Sequence, residues 1–187
     1  PLPINPFRKQ CDYVDDVPLH DTSAHVAQRV TGVFSEVFTL GEQQKAVLYE
    51  AIHTGVEDAG NHFNLQALMS NIEETKREGG VSAVPATTVM NKMKPFVDMN
   101  PFGEEEPESW ERLFLDSVSR CHILQLAGFM KDSARLITEF SLIDLYWYYK
   151  TRGTKDNPRV IVLDEIQNLD HRLESPLGQF LTEGRKY

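Results

Sequence analysis

The chain has no G-x-x-x-x-G-K-[ST] phosphate loop, which excludes a self-sufficient P-loop nucleotide site. Its nearest Gly-rich stretch, Glu78-Gly79-Gly80-Val81-Ser82, lacks the Gly-Lys-Ser/Thr that would follow. Cysteine is scarce. Cys11 and Cys121 lie far apart, which excludes a disulfide framework and any Cys-based metal spacing. His20, His25, His53, His62, His122 and His171 are scattered without ligand spacing. No apolar run approaches the roughly 20 residues of a membrane helix, and no secretory signal pattern is present. There is no G-x-S-x-G elbow for a nucleophilic serine. Positive charge is also short. Lys and Arg number 19 against 28 Asp and Glu, for a net charge of -9. Phosphate neutralisation needs clustered Lys and Arg, which argues against this segment alone being a nucleic-acid-binding surface but leaves DNA open as the partner of a whole assembly. Part of the acid excess is local, in Gly103-Glu104-Glu105-Glu106-Pro107-Glu108, which reads as a solvated loop.

What remains is globular. The 187 residues, 41% hydrophobic and 25% charged, suffice for one core, or one and a small satellite. Reduced thiols in a cytoplasmic protein are expected. The chain opens at Pro1-Leu2-Pro3-Ile4-Asn5-Pro6-Phe7 and stops at Gly184-Arg185-Lys186-Tyr187. It reads as a piece of a longer protein, with a phosphate loop expected upstream.

Residues 1–20 show no sustained period and read as an extended segment. Asp21-Thr22-Ser23 then offers N-caps, and Val26, Val30, Val33, Phe34, Val37 and Phe38 predict an amphipathic helix over 23–38. Gly41 breaks it, and a second helix is expected from Glu42 to about Val56. Asn64 caps a third, with Leu65, Leu68, Met69 and Ile72 on one face and a stop at Gly79-Gly80. A fourth spans about 85–99, with Pro95 expected to kink or interrupt it. Residues 134–151 predict a helix that is apolar nearly all round. Ser175-Pro176 opens a last one, proline suiting the first helical position.

Two stretches read as strands: Cys121 to Gly128, and Arg159-Val160-Ile161-Val162-Leu163-Asp164-Glu165. The second is a short apolar run ending in two carboxylates. Such a run predicts a strand buried on both faces, as in a parallel sheet. Ligands of open α/β folds sit beyond the carboxyl ends of the strands. The pair has the physical form of a Walker B element. Asp164 would hold a hydrated magnesium ion at the nucleotide phosphates. Glu165 would polarise the attacking water. The strand, helix, strand, helix order over 117–187 predicts a right-handed parallel βαβ arrangement. The fold class expected is therefore α/β: a partial P-loop, RecA/FtsK-like parallel-sheet core with a large all-helical insertion. Its parts are an extended core segment at 1–20, the helical insertion at 21–107, and the Walker B segment at 108–187.

Val160 to Leu169, followed by Leu181-Thr182-Glu183-Gly184-Arg185-Lys186-Tyr187, resembles the HerA/FtsK-type ATPases. "PLPINPF" looks like the segment after that family's second strand, and the helical stretch is similar to that of DptH-type components of phosphorothioation-dependent DNA restriction. The resemblance implies a hexameric ring motor that uses ATP and Mg2+ to move along duplex DNA beside other restriction-system subunits. It carries Gln167 over as a γ-phosphate sensor. It places Arg185 at a neighbour's nucleotide or against the Walker B loop, with Lys186 beside it. The isolated segment is expected to bind ATP poorly. Two alternatives stand beside this: a conjugation or secretion motor, and a non-catalytic helical docking module on a degenerate ATPase.

Overall fold

Helices form where the apolar period meets a cap. The computed structural model describes residues 2, 4–15, 17–102, 110, 121–154, 160–173 and 175–184. The chain divides into two units, residues 1–104 and 105–187.

In the first unit, β1 (Cys11–Val14) and β2 (Val17–His20) pair antiparallel, with Val14 opposite Val17 and Tyr13 opposite Pro18. The turn begins at Asp15, whose φ of 49° is a left-handed value that Asp tolerates. The base is closed twice. Asp21 N–H donates to the Gln10 carbonyl at 2.8 Å, and Gln10 N–H donates to Asp21 Oδ2 at 3.1 Å. Both outer edges are blunted: Pro18 has no N–H to offer, and the Tyr13 N–H donates to the Asp12 side chain at 2.8 Å.

Four helices follow: α1 (Ser23–Phe38), α2 (Glu42–Ala59), α3 (Leu65–Glu78) and α4 (Ala83–Met99). Each expected helix is present. Thr22 caps α1 in a reciprocal box with His25, whose Nδ1 accepts the Thr22 N–H at 3.3 Å. Asn64 caps α3 through the Ala67 N–H at 2.9 Å. The end of α1 turns at Thr39, φ 51°, and Lys92 of α4 donates to the Phe38 carbonyl at 2.7 Å. That places a cation on the helix's unpaired carbonyls, where the dipole favours it. Pro95 lies inside α4, which continues to Met99. Its ring costs the Asn91 carbonyl its usual partner, and the buried Phe96 and Val97 beyond it offset that loss.

α1 packs on α2, α3 on α4, and α2 touches both α3 and α4. Val30, Phe34, Leu48, Ile52, Leu68, Ile72 and Met93 are fully buried. Each contributes about 1.5–3 kcal/mol. The segment before the hairpin joins this core: Ile4 and Phe7 are fully buried, and the Phe7 ring meets Phe63 edge-on at 4.9 Å. Asn5 Nδ2 donates to the Asn61 carbonyl at 2.8 Å. A parallel bridge joins Leu2 to Phe102.

Ser23, in the first turn of α1, donates to Glu57 Oε2 at 2.5 Å. This bond, with help from Lys9 and His53, holds the Glu57 carboxyl below its ordinary value of 4.5. A depressed carboxylate stabilises the fold above its ordinary pKa and loses that contribution as the pH falls through the folded value. Glu57→Gln is therefore expected to lower the melting temperature at neutral pH. Thermal scans from pH 7 to pH 3 should show the gap to wild type closing below the ordinary value of 4.5. A gap independent of pH would mean the ionised form is not what Ser23 holds.

The second unit contains α5 (Lys131–Arg152) and α6 (Pro176–Glu183). Neither expected strand forms among its described residues: 121–126 and 160–163 are irregular. The only sheet among the described residues is the two-stranded antiparallel hairpin of the first unit, so the parallel-sheet P-loop core is overturned. Val160 and Val162 were expected to be buried on both faces, yet they are 87% and 86% exposed. The physical reason is pairing. A strand is stable only when neighbours take its backbone groups, and no described residue pairs with 160–163. The apolar run met the pattern of a strand without the partners that make one.

Candidate functional site

The acid pair sits on a loop that α5 and α6 hold from below. Asp164 and Glu165 are both exposed, as is Gln167. Glu165 takes a left-handed φ of 52° and its N–H donates to Asp164 Oδ1 at 2.8 Å. A single 3-10 turn, Ile166–Asn168, follows. Asn168 Nδ2 reaches back and donates to Glu165 Oε2 at 2.9 Å. The loop is anchored by Leu169, buried with Leu142 and Leu177 and flanked by Leu163 and Phe180.

The return of the loop is polar and tightly bonded. Asp170 N–H donates to Glu139 Oε1 of α5 at 2.9 Å. The Arg172 guanidinium grips the Asp170 carboxylate, Nε lying 3.0 and 2.9 Å from its two oxygens. This grip holds the Asp170 carboxyl below its ordinary range, against the opposing effect of partial burial. Ser175 Oγ donates to the carbonyl of Asp170 or Arg172, each at 2.7 Å, and accepts the Gly178 N–H at 3.0 Å to cap α6. α6 is tied back to α5 by the Tyr146 hydroxyl, which donates to Glu183 Oε2 at 2.7 Å. Tyr146 also meets the Phe180 ring edge-on at 5.7 Å.

The structure thus brings Asp164, Glu165 and Gln167 onto one short solvent-facing stretch. Arg185 and Lys186 lie outside the described residues. The donor set suits a hard cation: carboxylate oxygens in water match magnesium, which keeps several of its waters. Among the described residues no three of His, Cys, Asp and Glu gather as a metal cage. No helix of the described residues is long and apolar enough to cross a membrane.

No family model, no curated protein and no solved structure matches the chain. The functional reading therefore rests on these residues alone. Sequence reasoning missed Glu139, Asn168, Asp170 and Arg172, which brace the loop. The available signal was the pair of acids, Glu139 and Asp144, inside the apolar middle stretch of α5, Leu136 to Tyr149. Both are buried, at 2% and 4% exposure. Asp144 Oδ2 accepts the Trp110 indole N–H at 2.8 Å. Buried carboxylates are kept where something bonds to them, so such acids point to contacts across the fold.

Proposed function

We propose that the chain is part of an ATP-hydrolysing motor of the HerA/FtsK type that moves along duplex DNA, in a cytoplasmic restriction or defence system. The observation that carries this reading is the apolar string Val160–Leu163 running into Asp164-Glu165, followed by Glu183-Gly184-Arg185-Lys186-Tyr187. The exposure of both carboxylates on a braced loop supports it.

In this reading Asp164 would hold Mg2+ through water, and the ion would supply charge neutralisation to the phosphates of ATP. Glu165 takes a proton from the attacking water as its oxygen bonds the γ-phosphorus and the bond to the ADP oxygen breaks. Positioning supplies most of such catalysis. Gln167 contacts the γ-phosphate. Arg185 serves a neighbouring copy's nucleotide in a homo-oligomeric ring, beside other restriction-system subunits.

The test is ATP hydrolysis by the full-length protein with and without duplex DNA. DNA-stimulated turnover is expected. Glu165→Gln should still bind ATP yet stall, because the amide keeps the shape and loses the base. Unchanged turnover in that variant would remove Glu165 from the role.

A second reading has its own observation. The helical unit carries a finished core of its own, with Phe34, Leu48, Ile52 and Met93 fully buried, as a docking module would. Absence of turnover in the full-length protein would favour it.

A further inference from the structure

The geometry points to Glu139 as the positioning residue of the acid loop. It acts from α5 by fixing the Asp170 backbone, at the return of the loop that carries Glu165. Its role in turnover rests on the functional reading above; its role as an anchor does not.

Glu139 is 2% exposed and sits among the buried Leu136, Ile137 and Phe140 of α5. Hydrophobic packing alone would put an aliphatic residue there, since a buried carboxylate costs several kcal/mol unless it is bonded. The Arg135 guanidinium, one turn earlier, lies 3.9 Å from Glu139 Oε1. The same oxygen accepts the Asp170 N–H at 2.9 Å. This is a charge-assisted bond from a rigid helix to the backbone of an irregular loop. Such bonds are about twice as strong as neutral ones.

The anchored residue lies where the loop turns back. Ahead of it Asn168 donates to Glu165 Oε2 at 2.9 Å, and behind it Ser175 donates to the Asp170 carbonyl at 2.7 Å. Arg172 closes on the Asp170 side chain. The Arg172 and Ser175 bonds meet at Asp170, and Glu139 supplies the hydrogen bond from α5 that fixes its backbone, beside the packing of Leu169 on Leu142. Preorganisation of this kind matters because small misplacements of a reacting group are costly in rate.

The experiment is amide hydrogen exchange on the 187-residue chain, comparing wild type, Glu139→Gln and Glu139→Ala. Glutamine keeps an acceptor oxygen at the same place; alanine removes it. The Asp170 amide should be protected in wild type and in Glu139→Gln. In Glu139→Ala it should exchange about tenfold faster or more. Free exchange of Asp170 in wild type overturns the proposal, even if the alanine variant does not fold. Equal loss in both variants also overturns it, since the ion pair with Arg135 would then be the anchor.

A second readout is turnover in the full-length protein. Glu139→Ala should lower kcat by about tenfold or more with KM little changed, as expected of an outer-shell partner, and Glu139→Gln should restore it. If wild type hydrolyses no ATP, the motor reading fails while the exchange result still decides the anchor.

Discussion

Gly55→Ala is expected to destabilise the helical unit by about 2–3 kcal/mol, even though alanine is the better helix former. A Cβ at Gly55 would lie 2.1 Å from Cε2 and 2.2 Å from Cζ of Phe63. The Phe63 ring is 1% exposed and held edge-on by Phe7 at 4.9 Å, so it has no open side to swing toward. Helix propensity favours alanine by up to about 1 kcal/mol. Overpacking a closed core costs about 1–3 kcal/mol and sometimes more, so the clash wins. Gly32 of α1 provides the opposite case: nothing lies within 4 Å of its added Cβ. Gly32→Ala should therefore stabilise by up to about 1 kcal/mol. Denaturant unfolding followed by far-UV ellipticity checks both, with the midpoint moving down for Gly55→Ala and up for Gly32→Ala. An unmoved midpoint for Gly55→Ala would show that Phe7 and Phe63 repack without cost.

Gly178→Ala should be at least as damaging to the second unit, by about 3 kcal/mol. Here the added Cβ meets main chain rather than a side chain: the Arg172 carbonyl oxygen at 2.1 Å and the Leu173 carbonyl oxygen at 2.7 Å. A rotamer change cannot relieve that. The loop must lift away from α6, and the Ser175 cap and the Asp170–Arg172 contacts go with it. Both tryptophans, Trp110 and Trp147, lie beyond residue 104. Tryptophan fluorescence during denaturant unfolding therefore reads this unit alone, and its midpoint should fall. An unchanged midpoint would mean that the loop is not packed on α6 as described.

The helices were legible because their signals are local. Val26, Val30, Phe34 and Val37 mark the buried face of α1, and Thr22 and Asn64 mark two starts. Pro95 argues for a kink or an interruption in α4; the helix is not interrupted, and the apolar residues beyond the proline hold it to Met99. The strands failed for a non-local reason. Val160 to Leu163 has strand composition, yet strand formation depends on a partner that composition does not reveal. The hairpin went unread for the converse reason. Its Val-Asp-Asp-Val turn lacks the Asn-Gly or Asp-Gly signal, and Pro18 argues against a strand anywhere but at an edge, where it lies. At the site, Asp164, Glu165 and Gln167 were readable as a run of neighbours. Glu139 was not, because its partner Asp170 lies 31 positions away.

The bridge between Leu2 and Phe102, with Leu2 N–H donating to the Pro101 carbonyl at 2.7 Å, has a topological consequence. The two ends of the helical unit lie side by side. A unit whose two ends meet can be spliced into a surface turn of a host without prying that turn open. The same closeness allows its connectivity to be rewired: its ends can be joined and a new break made in an exposed turn, such as the one at Asp15. The helical unit is in this sense a cassette whose own two ends hold it shut.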